Sequence, residues 1–182
     1  WDVIPDIMTL AKGISSAHIP LSATIVRKDI ADFFEGDNLF CHGQTYANHP
    51  YCCAAGLATI EEYQRLNVPE RARKLEGVLG GRLEDLKTDH PSVGDVRGKG
   101  LFWGVELVKD RETKEPFVTR DQKFEPTILG KVGAEAMDKG VYIYTSLNTM
   151  IISPPLIITE EEIEQGVAVI DEVLEIADAE TR

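Results

Sequence analysis

The feature that most constrains this chain is a change of hydrophobic period near residue 93. From Pro69, a residue tolerated in a helix's first turn, Ala72, Leu75, Val78, Leu79, Leu83 and Leu86 recur at spacings of three and four, which predicts a helix with one buried face. Gly77, Gly80 and Gly81 weaken that helix but permit close packing against it. Over Val93–Val108 the spacing becomes two, with Leu101, Trp103, Val105 and Leu107 alternating and glycines at 94, 98, 100 and 104. Such a segment is a pair of strands, or one long bent strand with bulges. A helix over Thr127–Lys139 follows, ended by Gly140, then strands at Val141–Tyr144 and Met150–Ile152 around a turn at Leu147-Asn148. Thr159-Glu160-Glu161-Glu162 is a capping box, and Ile163, Val167, Ile170, Leu174 and Ala177 give the helix behind it one apolar face. This part of the chain is therefore expected to be α+β.

Upstream of it the signals are shorter. Residues 1–13 read as a loop entering a short buried strand, and Leu21–Val26 as a second strand. A short helix through Ile30, Phe33 and Phe34 ends at Gly36, and a loop over Phe40–Pro50 is rich in His, Gly, Asn and Thr. From Tyr51 a helix is expected, with Ala54, Ala55, Leu57, Ala58, Ile60 and Leu66 on a broad apolar face. The passage from one helix to the next, near Asn67, is read as the boundary between two substructures, and Asp110–Glu125, charged and carrying Pro116, is expected to be a surface excursion. No internal repeat or low-complexity segment is present.

The formal net charge of −12 argues against a nucleic-acid partner, which needs a basic stripe. No apolar run reaches the roughly 20 residues of a membrane span. Three cysteines, Cys41, Cys52 and Cys53, form no disulfide framework and suit a reducing compartment, so a cytoplasmic location is expected. The chain opens at Trp1 without an initiator methionine, as a processed or incomplete product would.

Lys12 follows the apolar run Ile7–Ala11 and precedes Gly13. A lysine closing a strand either packs its stem and keeps its head wet, or, if desolvated, loses its proton and attacks a carbonyl. The loop Cys41–Pro50 stands before a helix and offers a hydroxyl, a glycine and backbone amides, which are the parts of an anion site, although it lacks the Walker lysine; a simple turn and cap is the plainer reading. Cys41, His42, His49, Cys52 and Cys53 read as zinc ligands only with poor spacing, and Cys52-Cys53 are more simply small core residues. Val96-Arg97-Gly98-Lys99-Gly100-Leu101 is best read as a tight bend feeding a strand, with Arg97 free to hold a carboxylate or pair with a nearby acid. Ser153-Pro154-Pro155 is a rigid break, and His18 and His90 read as structural or exposed.

Four separated motifs occur in one order: Pro5–Gly13, His42–Pro50, Val96–Leu101 and Ser153–Thr159. With them the whole chain resembles the C-terminal half of a class III, or ω-amino acid, aminotransferase of the pyridoxal-phosphate-dependent fold type I. The implied fold class is α/β: the end of the large cofactor-binding domain in 1–62, then the smaller α+β C-terminal domain in 63–182. By that resemblance Lys12 holds pyridoxal 5'-phosphate through a Schiff base and shuttles the substrate proton. Thr45 binds the cofactor phosphate in the site of a neighbouring subunit, and Gln44 is a further cofactor-binding residue. The resemblance also implies a homodimer or larger assembly with shared active sites, small-molecule amine and keto acid substrates with pyruvate as the expected keto acid, and no metal.

The family's aspartate beside the pyridine nitrogen, its ring-stacking aromatic residue and its Gly-Ser/Thr phosphate loop would lie upstream of Trp1. The chain alone is therefore expected not to transaminate and to expose apolar surface. Tyr144 and Ile151 stand where relatives that grip a substrate carboxylate place arginines, so Tyr144 and Arg97 are the substrate-binding candidates, with an ω-amino acid or amine as donor. Aminomutase or decarboxylase chemistry within the same family, or a non-catalytic or metal-binding fragment, are the alternatives.

Overall fold

The computed structural model describes residues 2–119, 121 and 127–182. The chain forms two units, residues 1–67 and 68–182. The division falls at the passage between helices read near Asn67, five residues beyond the 1–62 assignment that the resemblance implies: the helix there runs on to Arg65 and Asn67 makes the break in a left-handed conformation, φ +47°.

In the first unit, strand β1 (Ile7–Ala11) pairs antiparallel with β2 (Ser22–Val26), in register from Ile7 opposite Val26 to Ala11 opposite Ser22. Between them lies a 3-10 turn, Lys12–Ser15. The short α1 (Lys28–Asp32) follows, and α2 (Pro50–Arg65) opens with proline at its first position. The expectation of a buried strand before Lys12 fails: Ile7, Met8, Thr9 and Ala11 are exposed and only Leu10 is partly covered. A two-stranded ribbon has too little neighbouring structure within its own unit to cover either face. The broad apolar face expected on α2 is also wrong. Ala54, Leu57, Ala58 and Ile60 are exposed, while the covered stripe is Cys52, Ala55, Gly56, Thr59 and Tyr63. That stripe is chosen by what it meets: a Cβ on Gly56 would stand 2.5 Å from the Leu21 side chain. As expected, this unit leaves large apolar side chains open, among them Ile4, Phe33, Leu39, Phe40 and Leu57.

The second unit carries the core. α3 (Val68–Asp89) leads into an antiparallel sheet of β3 (Val93–Lys99), β4 (Phe102–Asp110), β6 (Tyr144–Ser146) and β7 (Thr149–Ile152), ordered β3-β4-β7-β6, with the two-residue β5 (Glu115–Pro116) on the end of β4. α4 (Ile128–Asp138) and α5 (Glu160–Asp178) complete it. The alternating segment is thus a hairpin of two strands, turned at Gly100 with φ +59°. Register puts Val96, Val105 and Met150 in one row on the buried face, above Leu75, Leu79 and Leu83 of α3 and Ile163, Ile170 and Leu174 of α5 in a single apolar core.

Three local readings shift. The strand expected at Val141–Tyr144 begins only at Tyr144. The excursion over Asp110–Glu125, whose residues 120 and 122–125 lie outside the described part, is not wholly superficial, since Val118 is buried and its backbone N–H and C=O are both bonded to the Asn148 side chain at 2.7 Å. The capping box forms as read: Thr159 Oγ1 accepts from the Glu162 N–H at 3.2 Å, and Glu162 accepts from the Thr159 N–H at 2.8 Å. That backbone bond, with the Thr159 hydroxyl, holds the Glu162 carboxyl below the usual range.

Candidate active site

Lys12 stands where β1 gives way to the 3-10 turn, with φ +54°; a residue with a Cβ meets a steric cost of about 1–2 kcal/mol there. Ser16 (φ +48°) and Ala17 (φ +60°) share that region, so three non-glycine residues in six are held left-handed. The surroundings fix them. Ser15, 1% exposed, donates its hydroxyl to the Ile19 carbonyl at 2.7 Å, and Ser16 and Ala17 donate backbone N–H groups to the Gly13 and Lys12 carbonyls. The Lys12 side chain is exposed, not desolvated within its unit, and its ammonium has no partner among the described residues.

The second cluster of candidates lies on the loop before α2. Its entry is anchored by edge-on aromatic contacts from Phe34 to Phe40 (5.1 Å) and from Phe40 to His42 (6.0 Å). Gln44 closes a turn by accepting from the Ala47 N–H at 3.0 Å. The side chains of Gln44 and Thr45 are exposed and unbonded among the described residues, and a Cβ on Gly43 would meet nothing within 4 Å. Taken separately, an unpaired amine suits an aldehyde, and an exposed hydroxyl beside a glycine suits a phosphate, so the chemistry of these residues is compatible with pyridoxal phosphate.

The zinc alternative lacks geometry: among the described residues no three His, Cys, Asp or Glu side chains converge as a metal site. Nor are the adjacent cysteines core residues, since Cys53 is exposed and Cys52 only half-buried. Cys52 starts the stripe that Gly56 and Thr59 set, and Cys53 lies outside it.

In the second unit, register brings Arg97, Gly104, Ile151 and Tyr144 into one cross-strand row on the face opposite the core. Arg97 and Tyr144 stand at its two ends, three strand spacings or roughly 14 Å apart. Tyr144 and Ile151 border a groove of about 660 Å³ with Ile143, Pro154, Ile163 and Ile170; Arg97 does not. The Arg97 guanidinium is engaged by Glu106 at 2.7 Å and Asp95 at 2.8 Å. Hydrogen bonding to Asp95, then to Glu106, raises its pKa further, and Arg97 in turn holds the Asp95 carboxyl below its usual range. Of the two roles open to Arg97 in the sequence, pairing with nearby acids is the one present. The neighbouring Gly98–Gly100 bend is likewise filled by protein: Glu76 accepts from Lys99 Nζ and from the Gly100 N–H, both at 2.9 Å, and those two bonds lower its pKa. A carboxylate already sits where a phosphate would.

Two groups have partners that the sequence did not reveal, although His90 takes the structural one of its two readings. His90 is buried, not idle: Nδ1 lies 2.6 Å from Asp178 and Nε2 2.9 Å from Asp171, while Asp178 also accepts from the Ser92 N–H at 3.0 Å. Burial alone would push the imidazole down, but the bonds to Asp171 and Asp178 and their charge prevail and its pKa is raised. The spacing of seven between these aspartates, two turns of one helix face, was the available signal. Tyr63 is the other. It extends the covered stripe of α2 four residues beyond Thr59, and its hydroxyl donates to the Gly13 carbonyl at 2.8 Å.

The lysine turn and the hydroxyl-bearing loop of the first unit carry the residues singled out in the sequence, and the comparisons give the class of protein: a pyridoxal-phosphate-dependent aminotransferase. The family model for class-III aminotransferases matches residues 1–174. An uncharacterized aminotransferase, YhxA, of Bacillus subtilis is 38% identical over 173 residues, which are 90% of this chain and 37% of that protein. The taurine:2-oxoglutarate aminotransferase of Bifidobacterium kashiwanohense, solved with PLP and glutamate, superposes with a TM-score of 0.91 at 34% identity, over 100% of this chain and 40% of that one. A PLP-bound amine transaminase from an uncultivated Pseudomonas species gives 0.88 at 34% identity, over 97% and 40%. The chain belongs to the class-III aminotransferase family, and it spans about two fifths of the length of these relatives.

Proposed function

We propose that the protein in full moves an amino group from an ω-amino acid or amine to a keto acid such as pyruvate. The donor leaves as a carbonyl compound and the acceptor as an amine, so the two half-reactions balance without an external oxidant. Lys12 is the covalent anchor of pyridoxal phosphate and, once displaced by the incoming amine, the base that takes the proton from the amine-bearing carbon and returns it. Bound there, the cofactor supplies the electron sink. Thr45, with Gln44 beside it, binds the phosphate. In a homodimer Thr45 serves the partner's site, so that each active site draws on two chains.

Tyr144 and Arg97 are the substrate-side candidates, with unequal roles. Arg97 is already balanced by two carboxylates, so it offers a substrate carboxylate little net charge. Tyr144 and Ile151 border an apolar groove, which supports a donor whose far end is uncharged. Among the described residues no helix is long and apolar enough to cross a membrane. The proposal of a cytoplasmic location rests on the three unpaired cysteines, which suit a reducing compartment.

The observation that carries the proposal is an unpaired lysine held left-handed in a built turn, in a chain of this family. Borohydride reduction of the full-length protein with pyridoxal phosphate, followed by digestion, is expected to leave the label on the Lys12 peptide alone and to lose it in Lys12→Ala. A label on another lysine overturns the proposal.

A further inference from the structure

The turn that carries Lys12 is unusual in needing support. Its residues at 12, 16 and 17 all have positive φ and none is glycine, so the conformation persists only if other contacts over-determine it. One of these contacts comes from far along the chain. Tyr63, fifty positions from Gly13, gives its hydroxyl to the carbonyl of the residue next to Lys12. The same carbonyl accepts the Ser16 N–H at 3.1 Å, so one oxygen ties the turn both to itself and to α2. The rest of the seat is steric. A Cβ at Gly56 would come within 3.6 Å of the Ile14 carbonyl, and Thr59 and Gly56 are the buried residues of the helix.

We infer that Tyr63 is a positioning residue for Lys12: by pinning the Gly13 carbonyl it sets the direction in which the lysine side chain leaves the backbone. This rests on the proposed role of Lys12 and assigns to Tyr63 no contact with substrate or cofactor. A rigid helix is a suitable place for such a pin. The Gly13 carbonyl lies one peptide plane beyond the one that flanks Lys12, and the Lys12 carbonyl itself is held by the Ala17 N–H. Both planes that follow the lysine are thus fixed, and fewer directions remain for its Cα–Cβ bond. A small misplacement of a reacting amine is costly in rate even when binding is untouched.

The test is Tyr63→Phe in the full-length protein, which keeps the ring and removes only the donor. Loss of one such bond corresponds to roughly a fivefold change in a local equilibrium. In the cofactor-free protein, amide exchange at Ser16 and Ala17 is expected to accelerate about fivefold while the amides of α2 keep their protection. Capture of pyridoxal phosphate at Lys12, followed by borohydride trapping, should slow by a similar factor. Affinity for pyridoxamine phosphate, which has no aldehyde for the lysine to attack, should be unchanged. Unaltered capture overturns the inference, and so does weakening of both ligands together with faster exchange throughout α2, which marks a merely structural role. If the unsubstituted protein carries its label on a lysine other than Lys12, the aminotransferase proposal itself fails and this inference goes with it.

Discussion

Trp103 occupies a slot made by two glycines, and filling one wall should reverse sign according to whether the ring is present. Its indole lies against Gly80 of α3 on one side and against its cross-strand partner Gly98 on the other, with Nε1 donating to the Gly100 carbonyl at 2.9 Å. A Cβ at Gly80 would stand 2.5 Å from Cη2 and 2.6 Å from Cζ2, so the ring must retreat by about 1 Å to reach ordinary contact. Gly98 and the backbone behind it block that retreat. Gly80→Ala gains about 1 kcal/mol of helix propensity, against about 1–3 kcal/mol of overpacking and about 1 kcal/mol for a strained indole bond. The net is a loss of roughly 1–3 kcal/mol. In a Trp103→Ala background the obstruction is gone and the same substitution should stabilise by about 0.5–1 kcal/mol. Urea unfolding followed by far-ultraviolet circular dichroism, on all four proteins of the cycle, measures both numbers. If Gly80→Ala shifts stability equally in the two backgrounds, or stabilises the parent, the slot does not exist as described.

Two further outcomes follow from polar contacts at α5. Because the folded-state pKa of His90 is raised above the ordinary value of 6.5, its contribution to stability is complete below about pH 6.5 and is lost as the pH climbs through the higher folded value. The difference in unfolding midpoint between the parent and His90→Gln should therefore shrink with rising pH over that window; a difference that grows would refute the pairing with Asp171 and Asp178. Thr159→Ala removes the hydroxyl that accepts from the Glu162 N–H and should cost about 1 kcal/mol in the same urea assay; an unchanged midpoint would mean the cap contributes nothing.

The sequence by itself determined what depends on neighbours within one helical turn or one strand pair. The capping box at Thr159, the apolar face of Leu75, Leu79, Leu83 and Leu86, and the alternation around Trp103 are set by spacings of two to four residues, and all appear as read. The ordered motifs around Lys12 and Thr45 were also legible, because they depend on residue identity more than on packing. Tertiary structure alone decided which groups meet. Arg97 and Tyr144 share a row only because β7 inserts between β4 and β6; by contrast the partners of Arg97 are close in the chain, Asp95 two residues back on its own strand and Glu106 across the β3–β4 hairpin. His90 finds its aspartates across more than eighty residues, and Tyr63 finds the Gly13 carbonyl across fifty. The face of α2 that is covered was misread for the same reason. Local spacing shows that a helix has an apolar side, but which side is buried depends on what folds against it, and long-range closure is a sum over the whole chain that no short window contains.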